Sequence, residues 1–148
     1  MHIAIDDHSR LAHAVIEPDE RAPSARRALL AALRYTAPWG IRVTAVITDN
    51  GSCYRSRAFA RLLRRLGLRH IRTRPYTPRT SGKAERFIQT ALREWAYACA
   101  YDHSDQRAQA LPGWLHQYNW HRPHASLGYL PPTSRLNADL NNVLGLHS

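Results

Sequence analysis

Lysine is almost absent from this chain. Lys83 is the single lysine among 21 basic residues, so the basic chemistry of these 148 residues is arginine chemistry. Acidic residues are few as well, 11 in all, which leaves a formal net charge of +10. A guanidinium grips phosphate through a planar fork, whereas an ammonium acts as a point charge. The surplus points to a nucleic-acid partner; a biased genomic base composition would explain the arginine-to-lysine ratio but not the surplus. Cysteine is scarce too. Cys53 and Cys99 have no Cys-x-x-Cys spacing, which excludes a dense disulfide framework and argues for reduced thiols without zinc. No apolar run approaches the roughly 18 residues of a membrane span. Asp6 and Asp7 interrupt the N-terminal segment before the apolar stretch of a secretory signal can form. Repeats and low-complexity tracts are missing. Hydrophobic residues make up 44%, enough for one domain with its own core.

The pattern along the chain alternates strands and helices. His2 to Ile5 and Leu11 to Ile16, joined by the polar cluster Asp6 to Arg10, read as a hairpin. Ser24 is a candidate cap for a helix over Ala25 to Tyr35, with Ala28, Leu29, Ala32 and Leu33 on one face. Val43 to Thr48 has the β-branched character of a buried strand. Ser56 can cap a helix bearing Phe59, Leu62, Leu63 and Leu66, which Gly67 stops. Leu68 to Thr73 reads as a strand, and Arg74 to Gly82 as a loop because of Pro75, Pro78 and Gly82. A helix is expected over Lys83 to Ala98, and another over Ser104 to Asn119 interrupted at Pro112. An irregular tail should follow His121. This order implies an α/β layered fold with crossovers.

Two carboxylates stand out. Asp49 closes the run Val43 to Thr48, and the C-terminal end of a central strand is where α/β sheets place their sites. Glu85 falls in the first turn of the expected Lys83 helix, a favourable place for an anion. Residues 50 to 84 intervene, an interval of 35 residues, filled by a helix, a strand and a loop that can bring the two together. Converging carboxylates can hold Mg²⁺ and serve phosphoryl transfer. Alternatives stay open: Asp49-Asn50-Gly51 is also a hairpin-turn signal, and Glu85 can be an ordinary helix acid. His116, His121 and His124 lack cysteine partners and read as surface or DNA-proximal residues rather than zinc ligands. Trp95, Trp114, Tyr118 and Trp120 read as packing residues.

Thr48-Asp49-Asn50-Gly51-Ser52 and Tyr76-Thr77-Pro78-Arg79-Thr80-Ser81-Gly82-Lys83-Ala84-Glu85-Arg86 closely resemble the integrase catalytic core of bacterial insertion-sequence transposases. Tyr118-Asn119, Arg122-Pro123-His124, Leu127-Gly128 and Pro131-Pro132 resemble the C-terminal signature of the same family, and Ala4 to Arg10 resembles its second-strand hairpin. The resemblance covers His2 to about Leu136. It implies a ribonuclease-H-like mixed sheet with flanking helices, in a core of residues 1–136 with its signature at 118–132, followed by a tail at 137–148. It implies DNA cleavage and strand transfer with Asp49 and Glu85 as catalytic residues and ligands of Mg²⁺, with Mn²⁺ as a substitute. Asn50, Arg72, Arg74, Arg79, Lys83 and Arg86 become candidate DNA contacts. Transposon ends and target DNA are the implied partners, with a homo-oligomer assembling on DNA in the bacterial cytoplasm at the nucleoid.

The same resemblance exposes a departure. The family carries its first catalytic aspartate on a strand before the hairpin, and this chain begins at the hairpin. The first strand is therefore expected to be missing, and the isolated chain inactive; the rival reading is a non-catalytic DNA-binding remnant. Asp6 and Asp7 are poor substitutes for the lost ligand, with turn polarity or a contact to Arg10 as their expected duty. Met1 can be an internal start, the edge of a truncated gene or the mark of a frameshift.

Overall fold

A computed structural model of the chain describes residues 1–73, 78–98, 100–136 and 141–148, with backbone only for 78–81 and 141–142. Its strands are β1 (His2–Asp6), β2 (Ala12–Val15), β3 (Arg42–Thr48), β4 (Arg69–Arg72) and β5 (Asn141–His147). Its helices are α1 (Ala22–Thr36), α2 (Ser52–Arg55), α3 (Arg57–Arg65), α4 (Pro78–Ala91) and α5 (Ser104–Trp120). The strands form one mixed sheet in the order β2-β1-β5-β3-β4. β1 runs antiparallel to both β2 and β5, while β5, β3 and β4 run parallel to one another.

The hairpin forms because its turn satisfies itself. Asp6 is fully buried, and its Oδ2 accepts from the Ser9 backbone N–H at 2.7 Å and from Ser9 Oγ at 2.6 Å. Arg10 closes the turn in the left-handed region at φ 68°. Successive strand residues face opposite ways, and the apolar ones are divided accordingly. Ala4, Val46, Leu144 and Leu146 meet Ala25, Leu29, Phe59 and Leu63 of α1 and α3 on one face. Ile3, Ile5 and Ala12 meet Ala84, Phe87, Leu115 and Tyr118 of α4 and α5 on the other. Phe59, fully buried, contributes roughly 2–3 kcal/mol by burial alone.

Four boundaries differ from the sequence expectation, each for a local reason. α1 starts at Ala22 with Pro23 in its first turn, and Ser24 does not cap it, because its Oγ donates to Asp19 Oδ1 at 2.6 Å instead. α4 starts at Pro78, since proline suits a first turn that needs no N–H. Beyond Ala91 the chain continues as a π-helical turn, Leu92–Ala96, closed by Tyr97 N–H donating to the Leu92 carbonyl at 2.9 Å; that turn swings Trp95 into the core. α5 runs through exposed Pro112 without a break, held by burial of Leu111 and Leu115 on either side.

The largest departure concerns the end of the chain. Residues expected to form an irregular tail make β5, and β5 occupies the sheet position between β1 and β3. The described sheet thus has five strands, with a strand from the end of the chain in the position between β1 and β3. The sequence signal was weak because Asn141-Asn142 and Gly145 dilute the apolar run, and the burial of Leu144 and Leu146 comes only from neighbouring strands.

Candidate active site

The parallel strands β3 and β5 end side by side. Thr48 is paired with Leu146, so Asp49 and His147 are the next residues out. Asp49 is half-buried, and its Oδ1 accepts from the Gly51 N–H at 2.7 Å. That contact needs glycine: a Cβ on residue 51 would stand 2.9 Å from Asp49 Oδ1. The turn leads into α2, not into the hairpin that Asp49-Asn50-Gly51 could have made. Exposed Asn50 donates from Nδ2 to the Thr73 carbonyl at 2.8 Å, tying this loop to the chain leaving β4. Beneath it, Thr48 Oγ1 lies 2.9 Å from His70 Nε2.

α4 crosses the α4–α5 face of the sheet, held by Ala84 and Phe87 against Ile3 and Ile5. Glu85 is exposed on it, about two turns in from Pro78 rather than in the first turn. Helix polarity therefore gives Glu85 less help than the sequence suggested, because the dipole effect fades within the first turn. Lys83 pairs with Asp7 Oδ1, joining α4 to the hairpin turn. Asp7 also lies 3.8 Å from Arg10 Nη1. With Asp6 held by Ser9 and Asp7 by these two cations, both aspartates have the turn duty expected of them.

A small cavity is lined by Ile5, Asp7, Ile47, Lys83, Ala84, Gly145 and His147. The His147 ring lies over Gly145, with Nε2 3.2 Å from where a Cβ would be. Burial lowers the His147 pKa, and the Asp49 carboxylate partly opposes that shift.

Positive charge lines two surfaces. One is a groove of about 680 Å³ beside α4, with Arg10, Lys83, Arg86, Arg93 and Arg122 on its walls. Sequence reading missed Arg93, although it follows Lys83 and Arg86 at helical spacing. Arg122 is committed to structure: its Nε and Nη2 donate to Glu94 at 2.9–3.2 Å, and those bonds, chiefly, hold the Glu94 pKa below the usual carboxylate range. The second surface, also missed, is the outer face of α3. Arg57, Arg61, Arg64 and Arg65 are exposed there, opposite buried Phe59 and Leu63, and none is in an ion pair among the described residues. Arg72 is exposed at the end of β4. Arg74 lies outside the described residues, and only the backbone of Arg79 is described.

The C-terminal signature turns out to be a clamp. Asn119, fully buried, bonds both backbone groups of Ala12 at 2.9 and 2.7 Å and the Tyr35 hydroxyl at 3.0 Å. Tyr118 packs edge-on against Phe87 and His124, and burial raises its pKa to about 12. His124 is buried rather than on the surface, whereas His116 and His121 are exposed.

Integrase core domain models match residues 1–78 and residues 66–132. The chain belongs to the integrase core domain family. This integrase core is 36% identical over 99 residues to the putative transposase InsD for insertion element IS2E of Escherichia coli K12, covering 66% of the chain and 45% of the relative. It is equally similar to the transposase InsD for IS2A/D/F/H/I/K of Escherichia coli, of which 33% is covered. The chain thus spans less than half the length of these curated relatives. Among solved structures it superposes on the catalytic core domain of BIV integrase with a TM-score of 0.68 at 23% identity, covering 89% of this chain and 81% of that one. The HTLV-2 integrase catalytic core in complex with magnesium gives 0.68 at 14% identity, with 92% and 82% covered. The fold is that of integrase catalytic cores. No helix among the described residues is long and apolar enough to cross a membrane.

The described side chains do not complete a magnesium centre. Among the described residues no three His, Cys, Asp or Glu side chains gather around one point. Asp49 and Glu85 are hard oxygen donors of the kind Mg²⁺ takes, but the neighbouring strand contributes an imidazole.

Proposed function

We propose that the chain is the DNA-handling core of an insertion-sequence transposase, with Asp49 and Glu85 as its metal-binding carboxylates, and that in the form described here it binds DNA without joining it. One observation carries this reading. The sheet position beside Asp49, between β1 and β3, is filled by a strand that bears no carboxylate, Asn141–His147. Phosphodiester transfer by this family type needs enough negative charge to hold its metal ions, and two carboxylates fall short. Asp6 and Asp7 are engaged elsewhere. DNA binding needs no such centre, because the guanidinium surfaces on α3 and along the α4 groove meet phosphates directly. Asn50, Arg72, Lys83 and Arg86 remain proposed contacts, Arg74 and Arg79 stay proposed on the sequence alone, and the α3 arginines extend them. The HTLV-2 cores are described in dimeric and trimeric forms, and by analogy a homo-oligomer on transposon ends and target DNA, at the bacterial nucleoid, is part of the same proposal.

The test is a salt titration of binding to a labelled duplex, followed by anisotropy. Each phosphate neutralised adds about 0.9 to the slope of log affinity against log salt. About four contacts give a slope of roughly −3.6, little changed by DNA sequence. Arg86→Ala and Arg93→Ala should each lower the slope by about 0.9, as should Arg61→Ala if α3 shares the duplex. Binding that is absent at low salt, or indifferent to salt, contradicts the proposal.

A further inference from the structure

We propose that the groove beside α4 holds an unpaired nucleotide of a DNA end, with Tyr129 as the platform on which its base stacks. The proposal rests on the reading of the chain as a DNA-binding core and deepens it by naming the form of DNA that this groove takes. Three observations support it. The first is backbone strain. The turn Leu127–Leu130 is closed by the Leu130 N–H donating to the Leu127 carbonyl at 3.3 Å, and both of its central residues, Gly128 and Tyr129, have positive φ, 65° and 64°. Glycine takes that conformation freely; for a bulky side chain it is an outlier that the surroundings must enforce. The enforcement comes from the Tyr129 N–H, which donates to the His124 carbonyl at 2.9 Å, and from the His124 N–H, which donates to the Leu130 carbonyl at 3.2 Å. His124 and Leu127 are both buried. The second observation is exposure. The strain secures no packing for the ring, because Tyr129 is 74% exposed. The third is place. Tyr129 lines the groove of about 680 Å³ together with Arg10, Lys83, Arg86 and Arg93, and among the described residues no carboxylate stands on its walls.

These features select an unpaired base. A base inside a duplex is covered on both faces by its neighbours, so only an unpaired or terminal one can offer a face to a ring. The volume lies within the roughly 300–1,000 Å³ of pockets that enclose one small ligand, which suits a nucleotide and not a duplex. Exposed Arg86 and Arg93 stand about two turns apart along α4 and its π-helical continuation, and can meet phosphates on either side of the base. Arg86 is in no ion pair among the described residues. Exposed Gln89 lies between them on the groove wall, with an amide able to bond a base edge. Tyr97 is nearly as exposed, at 73%, but it has a φ of −123° and does not line this groove; it is the natural control.

The experiment uses the full chain and a labelled duplex with a short single-stranded overhang, followed by anisotropy at low salt. The comparison duplex carries an overhang of abasic sugars, which keeps every phosphate and removes only the bases. Stacking of one base is worth about tenfold in affinity, so wild type should bind the base-bearing overhang about tenfold more tightly than the abasic one. Tyr129→Phe and Tyr97→Leu should keep that ratio, whereas Tyr129→Leu and Tyr129→Gly should bring it to about one. Tyr129→Gly should also melt no lower than wild type, because glycine relieves the strained turn. Discrimination lost from a fold that is no weaker separates recognition from structure. In wild type, an iodouracil placed in the overhang and irradiated should crosslink to Tyr129, identified by mass spectrometry. If wild type binds the two overhangs alike, if Tyr129→Leu and Tyr129→Phe behave alike, if Tyr129→Gly melts well below wild type, or if the crosslink avoids Tyr129, the inference falls while salt-dependent binding leaves the DNA reading standing. Should neither duplex bind at low salt, the DNA reading itself has failed, and the inference with it.

Discussion

Removing the Asn119 amide should loosen the sheet from α5 without touching the DNA-binding surfaces. Asn119 sits on α5 with its side chain fully buried, and treats the edge strand β2 as another strand would. It accepts from the Ala12 N–H at 2.9 Å, donates to the Ala12 carbonyl at 2.7 Å and donates to Tyr35 Oη at 3.0 Å. Each such bond is worth about 1 kcal/mol net. In Asn119→Ala the buried Ala12 peptide groups lose both partners, which places the loss toward the upper end of that range. The expected cost is roughly 3 kcal/mol, a large part of the 5–15 kcal/mol typical of a domain. At about 2–4 °C per kcal/mol for this size, Tm should fall by roughly 6–12 °C. Tyr35→Phe breaks only one of the three bonds and should cost about 1 kcal/mol. Urea melts followed by circular dichroism measure both. A cost below about 1 kcal/mol for Asn119→Ala, or equal costs for the two variants, refutes the clamp. So does a large loss of DNA affinity in Asn119→Ala under conditions where it stays folded, since the residue would then be acting at the DNA.

Two further outcomes are expected. Arg122 lowers the Glu94 pKa, so their pair stabilises the fold above the usual glutamate value of about 4.3 and loses that contribution as pH falls through the depressed value. Arg122→Ala should cost about 0.5–1 kcal/mol at neutral pH, the partial exposure of both groups limiting it. The difference from wild type should close in acid melts near pH 3, and a gap unchanged down to that pH contradicts the pairing. Gly51→Ala forces a Cβ to within 2.9 Å of Asp49 Oδ1, so the carboxylate must leave its bond to residue 51. Stability should drop by about 1 kcal/mol and Mn²⁺ affinity should change severalfold; a variant matching wild type in both shows that Asp49 is not held by this turn.

Much of this arrangement could be read from the residues, where local chemistry and tertiary packing agree. β3, α3 with its Ser56 cap, and the Asp6–Arg10 turn came out close to expectation because each carries its own signal: a β-branched run, a hydroxyl that accepts the Phe59 N–H at 3.2 Å, and a carboxylate bonded within its own turn. The place of Asp49 just beyond the end of β3 was legible for the same reason. Where packing overrides local pattern, reading failed. Pro112 looks like a break, but the helix around it is fixed by what Leu111 and Leu115 bury. The last residues look loose, and they become a central strand only because β1 and β3 flank a free position. Asn119 and Arg122 were recognised as a family signature, yet their partners Ala12, Tyr35 and Glu94 are distant in sequence. The basic face of α3 was legible as helical spacing and was passed over beside the more conspicuous cluster at residues 72–86.

The chemistry assigned to this core is tested most directly by a strand-joining assay with Mg²⁺ or Mn²⁺ and a labelled DNA end. It compares the 148-residue chain with a form extended at its N-terminus by an aspartate-bearing strand. The expected result is no joined product from the 148-residue chain, joined product from the extended form, and none once Asp49→Asn or Glu85→Gln is introduced into it. Joining by the 148-residue chain itself, or activity in the extended form that survives Asp49→Asn, would contradict the assignment.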